Sequence, residues 1–218
     1  MSSEYLKKLI KLGVEIKSPE NVFIEESCKL EAGVVIYPFN TIKGNTVIKK
    51  GTILRENNYI VNSEIGENND IVYSYIEDSK IGNFNKIGPF SRLRSGAFIH
   101  DNVKIGNFVE IKKSVLKNGV KAGHLAYVGD GEVGENVNIS CGVIFCNYNG
   151  KEKFKTKVGK NAFIGSNVNL IAPVSVGENS FISAGATINK NIEKDKFVVG
   201  NRELKIKEDI KKIHIKEK

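Results

Sequence analysis

Two stretches of this chain gather an unusual density of hydrogen-bonding side chains. Residues 112–132 read KKSVLKNGVKAGHLAYVGDGE and hold His124 and Tyr127. Residues 140–157 read SCGVIFCNYNGKEKFKTK and hold Asn147, Tyr148 and Lys153. Metal chemistry is not expected. The three cysteines, Cys28, Cys141 and Cys146, lack zinc-ligand spacing, and a three-histidine zinc site would need His100, His124 and His214. The odd cysteine count fits a reducing compartment better than a disulfide framework.

The elements that carry these residues are set by a repeat. Ile24, Leu30, Ile36, Ile42, Ile48, Leu54 and Ile60 stand every sixth residue; so do Ile81, Ile87, Leu93, Ile99, Ile105 and Ile111, and Val158, Ile164, Leu170, Val176, Ile182 and Ile188. A period of six is neither helical nor a long simple alternation. Glycine often follows the aliphatic residue, as at Ile81-Gly82, Ile105-Gly106 and Ile164-Gly165, and Asn and Asp cluster beside it. These residues tolerate positive φ at tight corners. The reading is an all-β solenoid: each six-residue unit is a short strand and a corner, and stacked coils bury what one coil cannot. The ladder slips between 112 and 132 and again between 140 and 157, where loops are expected.

Residues 1–12, with Leu6, Leu9, Ile10 and Leu12 at helical spacing, predict a short lead-in helix within a 1–20 linker. The β-helix domain is expected over 21–192 and a charged extension over 193–218. The chain has 218 residues, 40% hydrophobic and 27% charged, with a net charge of +8. Its lysines are dispersed and no basic run interleaves with aromatics, so a nucleic-acid partner is not expected. No stretch approaches the roughly 20 apolar residues of a membrane span, and the charged start is no secretory signal, so a cytoplasmic protein is expected.

GPFSRLRSGA, IGNFVEIKKS, KAGHLAYVGD, GENVNIS, CNYNGKEKFKT, IGSNV and LIAPVSVG resemble the acetyltransferase half of the bacterial bifunctional glucosamine-1-phosphate acetyltransferase / N-acetylglucosamine-1-phosphate uridyltransferase family, from about residue 20 to about residue 190. The resemblance implies a left-handed parallel β-helix, a homotrimer, and acetyl transfer from acetyl-CoA to the amine of glucosamine 1-phosphate, a step towards UDP-N-acetylglucosamine and the cell wall. Nothing resembles the family's nucleotide-binding half, so uridyl transfer is not expected. Other readings are an acyltransferase for another amino sugar or nucleotide sugar, and a non-catalytic trimeric β-helix.

The same resemblance implies roles. His124 matches the general base and Glu110 the carboxylate that orients it. Arg94 and Lys112 match the holders of the sugar phosphate, and Tyr127, Asn138 and Lys153 match sugar-contacting positions. A guanidinium fork and an ammonium suit phosphate oxygens. The oxyanion donor is expected at the Cys141 N–H, where Ser140-Cys141-Gly142 replaces the family's Gly-Ala-Gly. Cys141 as a covalent nucleophile is the alternative. For acetyl-CoA, Asn147, Tyr148, Ser166 and Ala184 match, and Arg202 stands one place from the family's arginine.

Overall fold

The computed structural model describes residues 3–200 as one parallel solenoid. Its strands form three sheets, one per side of the coil. Sheet A has eleven strands, from Glu15–Ile16 to Phe197–Val198; sheet B has ten, from Phe23–Ile24 to Thr187–Ile188; sheet C has nine, from Lys29–Leu30 to Val174–Val176. All of these strand pairings are parallel and join each strand to the strand one coil away, as at Asp70↔Lys86↔Lys104↔Lys121↔Asn138 along sheet A. This parallel three-sheet solenoid is the coil expected from the repeat, and it matches the left-handed β-helix that the resemblance implies.

The six-residue ladder is the inward row. Ile24, Ile36, Ile42, Ile48, Leu54 and Ile60 are fully buried, and each coil's aliphatics lie on those of the next. Full burial of one such side chain contributes about 1.5–3 kcal/mol. The apparent slips are mostly not loops. Ile65, Ile71 and Ile76 continue the row at intervals of five, six and five, and Leu116, Ala122, Val128, Val133 and Ile139 do the same across 112–132. A corner one residue shorter still closes, so the phase moves while the coil persists. The expected loop at 112–132 is therefore regular coil, with strands at Lys121–His124, Tyr127–Gly129 and Gly131–Val133. The excursion at 147–155 is real: thirteen residues separate Phe145 from Val158, where five separate Val128 from Val133.

Asparagine serves two ends. Asn57, Asn68, Asn102, Asn136, Asn167 and Asn179 turn outward corners with positive φ. Asn40 and Asn58 point inward and satisfy corner carbonyls; Asn40 Nδ2 donates to Tyr37 O at 2.7 Å and to Arg55 O at 2.8 Å. At the corner between sheets A and B, bulky residues take the left-handed conformation instead. Phe39, Tyr73, Phe90, Phe108 and Leu125 have φ of 47–62° and remain exposed, with Phe90 and Phe108 stacked at 5.3 Å.

The lead-in helix spans Ser3–Lys11 and lies on the first coil. Leu9 is buried, and the Tyr5 hydroxyl donates to Cys28 O at 2.6 Å. Ile10 and Leu12, expected on the same apolar face, are exposed, because one short helix covers the coil end with a single row.

Candidate active site

Sheet A ends in a vertical column. Asn107 pairs with His124 in register, and the Ala122↔Ile139, Ile139↔Ile164 and Ile164↔Ile182 pairs fix the coils above. Two residues beyond each pair, the column continues through Cys141, Ser166 and Ala184. His124 is exposed, and its Nδ1 bonds Asn107 Oδ1 at 2.7 Å. At the next corner position Gly142 N–H donates to Leu125 O, and Asn167 N–H donates to Cys141 O. The Cys141 N–H takes no backbone partner among the described residues.

A cationic cluster occupies the outer face of sheet B. Register places Arg94, Lys112 and Gly129 at one strand position and Arg92, Glu110 and Tyr127 at another. Arg94 Nε donates to Glu110 Oε1 at 2.7 Å, and its other guanidinium N–H groups take no hydrogen-bond partner among the described residues. The excursion closes as a hairpin, with a Tyr148↔Lys153 bridge and Phe154 N–H donating to Asn147 O at 2.8 Å. It brings Lys153 against the buried Lys112. The neighbouring Lys153 ammonium, then burial, hold Lys112 below the usual lysine range, while Asp130 opposes the shift. Asn147 is buried beneath, and its Nδ2 donates to Asp130 Oδ2 and, at 3.4 Å, to Tyr127 Oη. Gly129 makes room for this: a Cβ there would lie 2.7 Å from Asn147 Nδ2 and 2.6 Å from Tyr127 Cζ.

A bacterial transferase hexapeptide model (six repeats) matches residues 78–113 and 155–190. Relatives called bifunctional protein GlmU align along most of this chain: that of Acetivibrio thermocellus is 43% identical over 95% of the chain and 45% of the relative. That of Listeria monocytogenes serotype 4b is 47% identical over 84% and 40%. The chain is a homologue of the C-terminal part of GlmU. It spans less than half the length of these relatives. A crystal structure of UDP-N-acetylglucosamine acyltransferase shares the fold, with a TM-score of 0.53 at 19% identity over 78% of this chain and 71% of that one.

The expected residues thus fall into two groups. His124, Cys141, Ser166 and Ala184 share the sheet A column; Arg94, Glu110, Lys112, Tyr127, Asn147 and Lys153 share the sheet B cluster. Glu110 was expected beside the histidine and instead pairs with Arg94, since its strand lies around the corner. Asn147 was expected to face acetyl-CoA and is turned into the cluster. Tyr148 folds its hydroxyl onto Gly150 O at 2.6 Å, and Asn138, on the outer face of sheet A, donates to Ser140 Oγ at 2.9 Å. Arg202, His214 and the charged extension beyond Gly200 lie outside the described residues. No group of three His, Cys, Asp or Glu able to hold a metal ion occurs among the described residues; His100 packs on Phe98 on sheet C. No described helix is long and apolar enough to cross a membrane.

Asn107 and Asp130 were missed by motif reading. The signal for Asn107 was the coil length: 107, 124 and 141 are seventeen residues apart, one full circuit each.

Proposed function

We propose that this chain transfers acetyl from acetyl-CoA to the amine of glucosamine 1-phosphate. The observation that carries the reading is the pairing of an exposed histidine column with a cluster of three cations on the adjacent face. In this reading His124 Nε2 takes the proton of the attacking amine. The amine nitrogen bonds to the thioester carbon, the C–S bond breaks, and the proton passes from the imidazolium to the departing thiolate. The Cys141 N–H faces the developing oxyanion, and a backbone donor keeps that role whatever its side chain. Direct transfer needs no acyl-enzyme, so Cys141 Sγ has no covalent part. Ser166 and Ala184 continue the column upward and leave a lane of small side chains for the cofactor arm, with Tyr148 at the excursion and Arg202 beyond Gly200 as further contacts. Arg94, Lys112 and Lys153 hold the phosphate, and Tyr127 and Asn138 the sugar.

The base and the cations stand at opposite ends of the sheet B strands. Ala126 to Gly129 alone is three residues, about 10 Å of strand. A homotrimer in which the column of one chain meets the cluster of the next brings the two groups onto one small sugar. The exposed aromatic corner Phe39, Tyr73, Phe90 and Phe108 supplies an apolar seam beside that junction, and cyclic closure buries it three times. The domain expectation of a lead-in over 1–20, a β-helix over 21–192 and a charged extension over 193–218 is widened at both ends, because Glu15–Ile16 and Phe197–Val198 pair into sheet A; the catalytic β-helix of this reading therefore runs from about residue 15 to about residue 198, in a soluble cytoplasmic protein.

The test is thiol release from acetyl-CoA with glucosamine 1-phosphate, free glucosamine, and amino sugars carrying phosphate elsewhere. Strong preference for the 1-phosphate is expected. Equal rates with free glucosamine would remove the phosphate assignment and return the choice to another amino-sugar acceptor.

A further inference from the structure

We infer that Asn107 is the positioning residue of His124, fixing the ring in the Nδ1–H tautomer so that the Nε2 lone pair faces outward; this rests on the catalytic reading of His124 above.

Three observations converge on it. First, Asn107 and His124 are register partners on adjacent strands, so the contact is built by strand pairing and not by a loop. Gly106 allows the approach, because a Cβ at that position would collide with Gly123 O. Second, the 2.7 Å contact runs from the ring Nδ1 to the amide oxygen, which can only accept, so the ring nitrogen donates. With one proton on Nδ1, a neutral ring has its lone pair on Nε2. Third, the carboxylate that motif reading assigns to this task is occupied: Glu110 accepts from Arg94 Nε at 2.7 Å. His124 is exposed, and the bond to Asn107 is the side-chain hydrogen bond that its ring makes among the described residues.

The chemistry explains why an amide serves here. A carboxylate against Nδ1 would stabilise the imidazolium and keep more of the base protonated at a given pH. An amide oxygen orients the ring without adding charge. The other titratable groups on the flanking strands are Lys104 and Lys121, three residues back from Asn107 and His124, while Cys141 stands in the coil above and Glu110 is held by Arg94. None of them substitutes for the Asn107 oxygen.

The experiment uses the full-length protein and two variants, Asn107→Leu and Asn107→Asp. Ring ¹⁵N shifts of His124 are recorded without substrates, and acetyl-transfer kinetics with acetyl-CoA and glucosamine 1-phosphate are followed across pH. The parent ring is expected as the Nδ1–H tautomer. Asn107→Leu should lose that preference and lower kcat roughly 10- to 100-fold, a share of the roughly 10²–10⁴-fold typical of a general base, with the sugar-phosphate KM unchanged. Asn107→Asp should keep the tautomer and move the acidic limb of kcat/KM about one unit to higher pH. A parent ring protonated on Nε2 overturns the inference, as does an Asn107→Leu protein with parental tautomer and kcat. Should the parent transfer no acetyl group, the catalytic reading fails, while the resting tautomer still decides the Asn107 assignment.

Discussion

Replacing Gly129 with alanine puts a methyl group where the Tyr127 phenol and the Asn147 amide now lie. The added carbon would sit 2.6 Å from Tyr127 Cζ and 2.7 Å from Asn147 Nδ2, well inside van der Waals contact. Tyr127 has to swing off the strand, and Asn147, which is buried, has to release Asp130 or Tyr127. Overpacking of this kind costs about 1–3 kcal/mol. For a chain of this size that is roughly 2–4 °C of Tm for each kcal/mol. The partner variant Gly123→Ala, in the same coil, meets nothing within 4 Å and needs no left-handed backbone. It should be neutral or gain about 0.4–1 kcal/mol from the stiffer unfolded chain. Calorimetry on both variants at one protein concentration, with sugar-phosphate KM measured alongside, checks the pair. Gly129→Ala is expected to melt lower and bind glucosamine 1-phosphate more weakly. A Gly129→Ala protein that melts with the parent and keeps its KM would refute the claim that Tyr127 and Asn147 are wedged over this glycine.

Arg94→Ala and Lys112→Ala should each raise the sugar-phosphate KM about 10- to 150-fold, the equivalent of one charged hydrogen bond of about 1.5–3 kcal/mol, while acetyl-CoA KM stays put; unchanged KM in steady-state assays would count against the phosphate pocket. His124→Ala should cut acetyl transfer roughly 10²- to 10⁴-fold with little change in binding by calorimetry. Lys112 has a lowered pKa in the fold, so the unfolded chain binds the extra proton in the window just below the ordinary lysine value; stability therefore rises with pH through that window. Lys153→Ala removes the largest cause, and alkaline denaturant titrations should show that rise shrink or vanish. Phe90→Ser and Phe108→Ser alter half-exposed rings of the single chain, so sedimentation should report dissociation to monomers with circular dichroism unchanged; intact trimers would move the seam elsewhere.

The coil was legible because its rule is local: one aliphatic residue per side, buried by the next coil. The rule was misread where corners shorten. Ile65, Ile71 and Ile76 obey it at intervals of five and six, and a strict six-residue count loses them, just as it turned the regular coil at 112–132 into a loop. The excursion at 147–155 was legible since NYNGKEKFKTK has too little apolar content to face inward. Candidate site residues were nameable through the family resemblance, but their grouping was not. Neighbours in this fold are a whole circuit apart, so His124 touches Asn107 and not Glu110, which is nearer to Lys112 in both sequence and space. Asn107 also reads as one more corner asparagine in IGNFVE, because nothing in its type distinguishes a turn from an anchor.

That circuit makes chain length itself a functional quantity. Between Asn107 and His124, or between His124 and Cys141, removing one residue from a strand would shift the rest of the coil by one position and turn outward groups inward. The excursion at 147–155 is different: it leaves the coil after Cys146 and rejoins it at Thr156, opposite Gly131, so its length is not counted in the column. Ser166 and Ala184 would keep their places if the hairpin grew or shrank. The chain therefore has one stretch that drift can lengthen beside the cation cluster, flanked by stretches whose residue count is held by the frame of the candidate site.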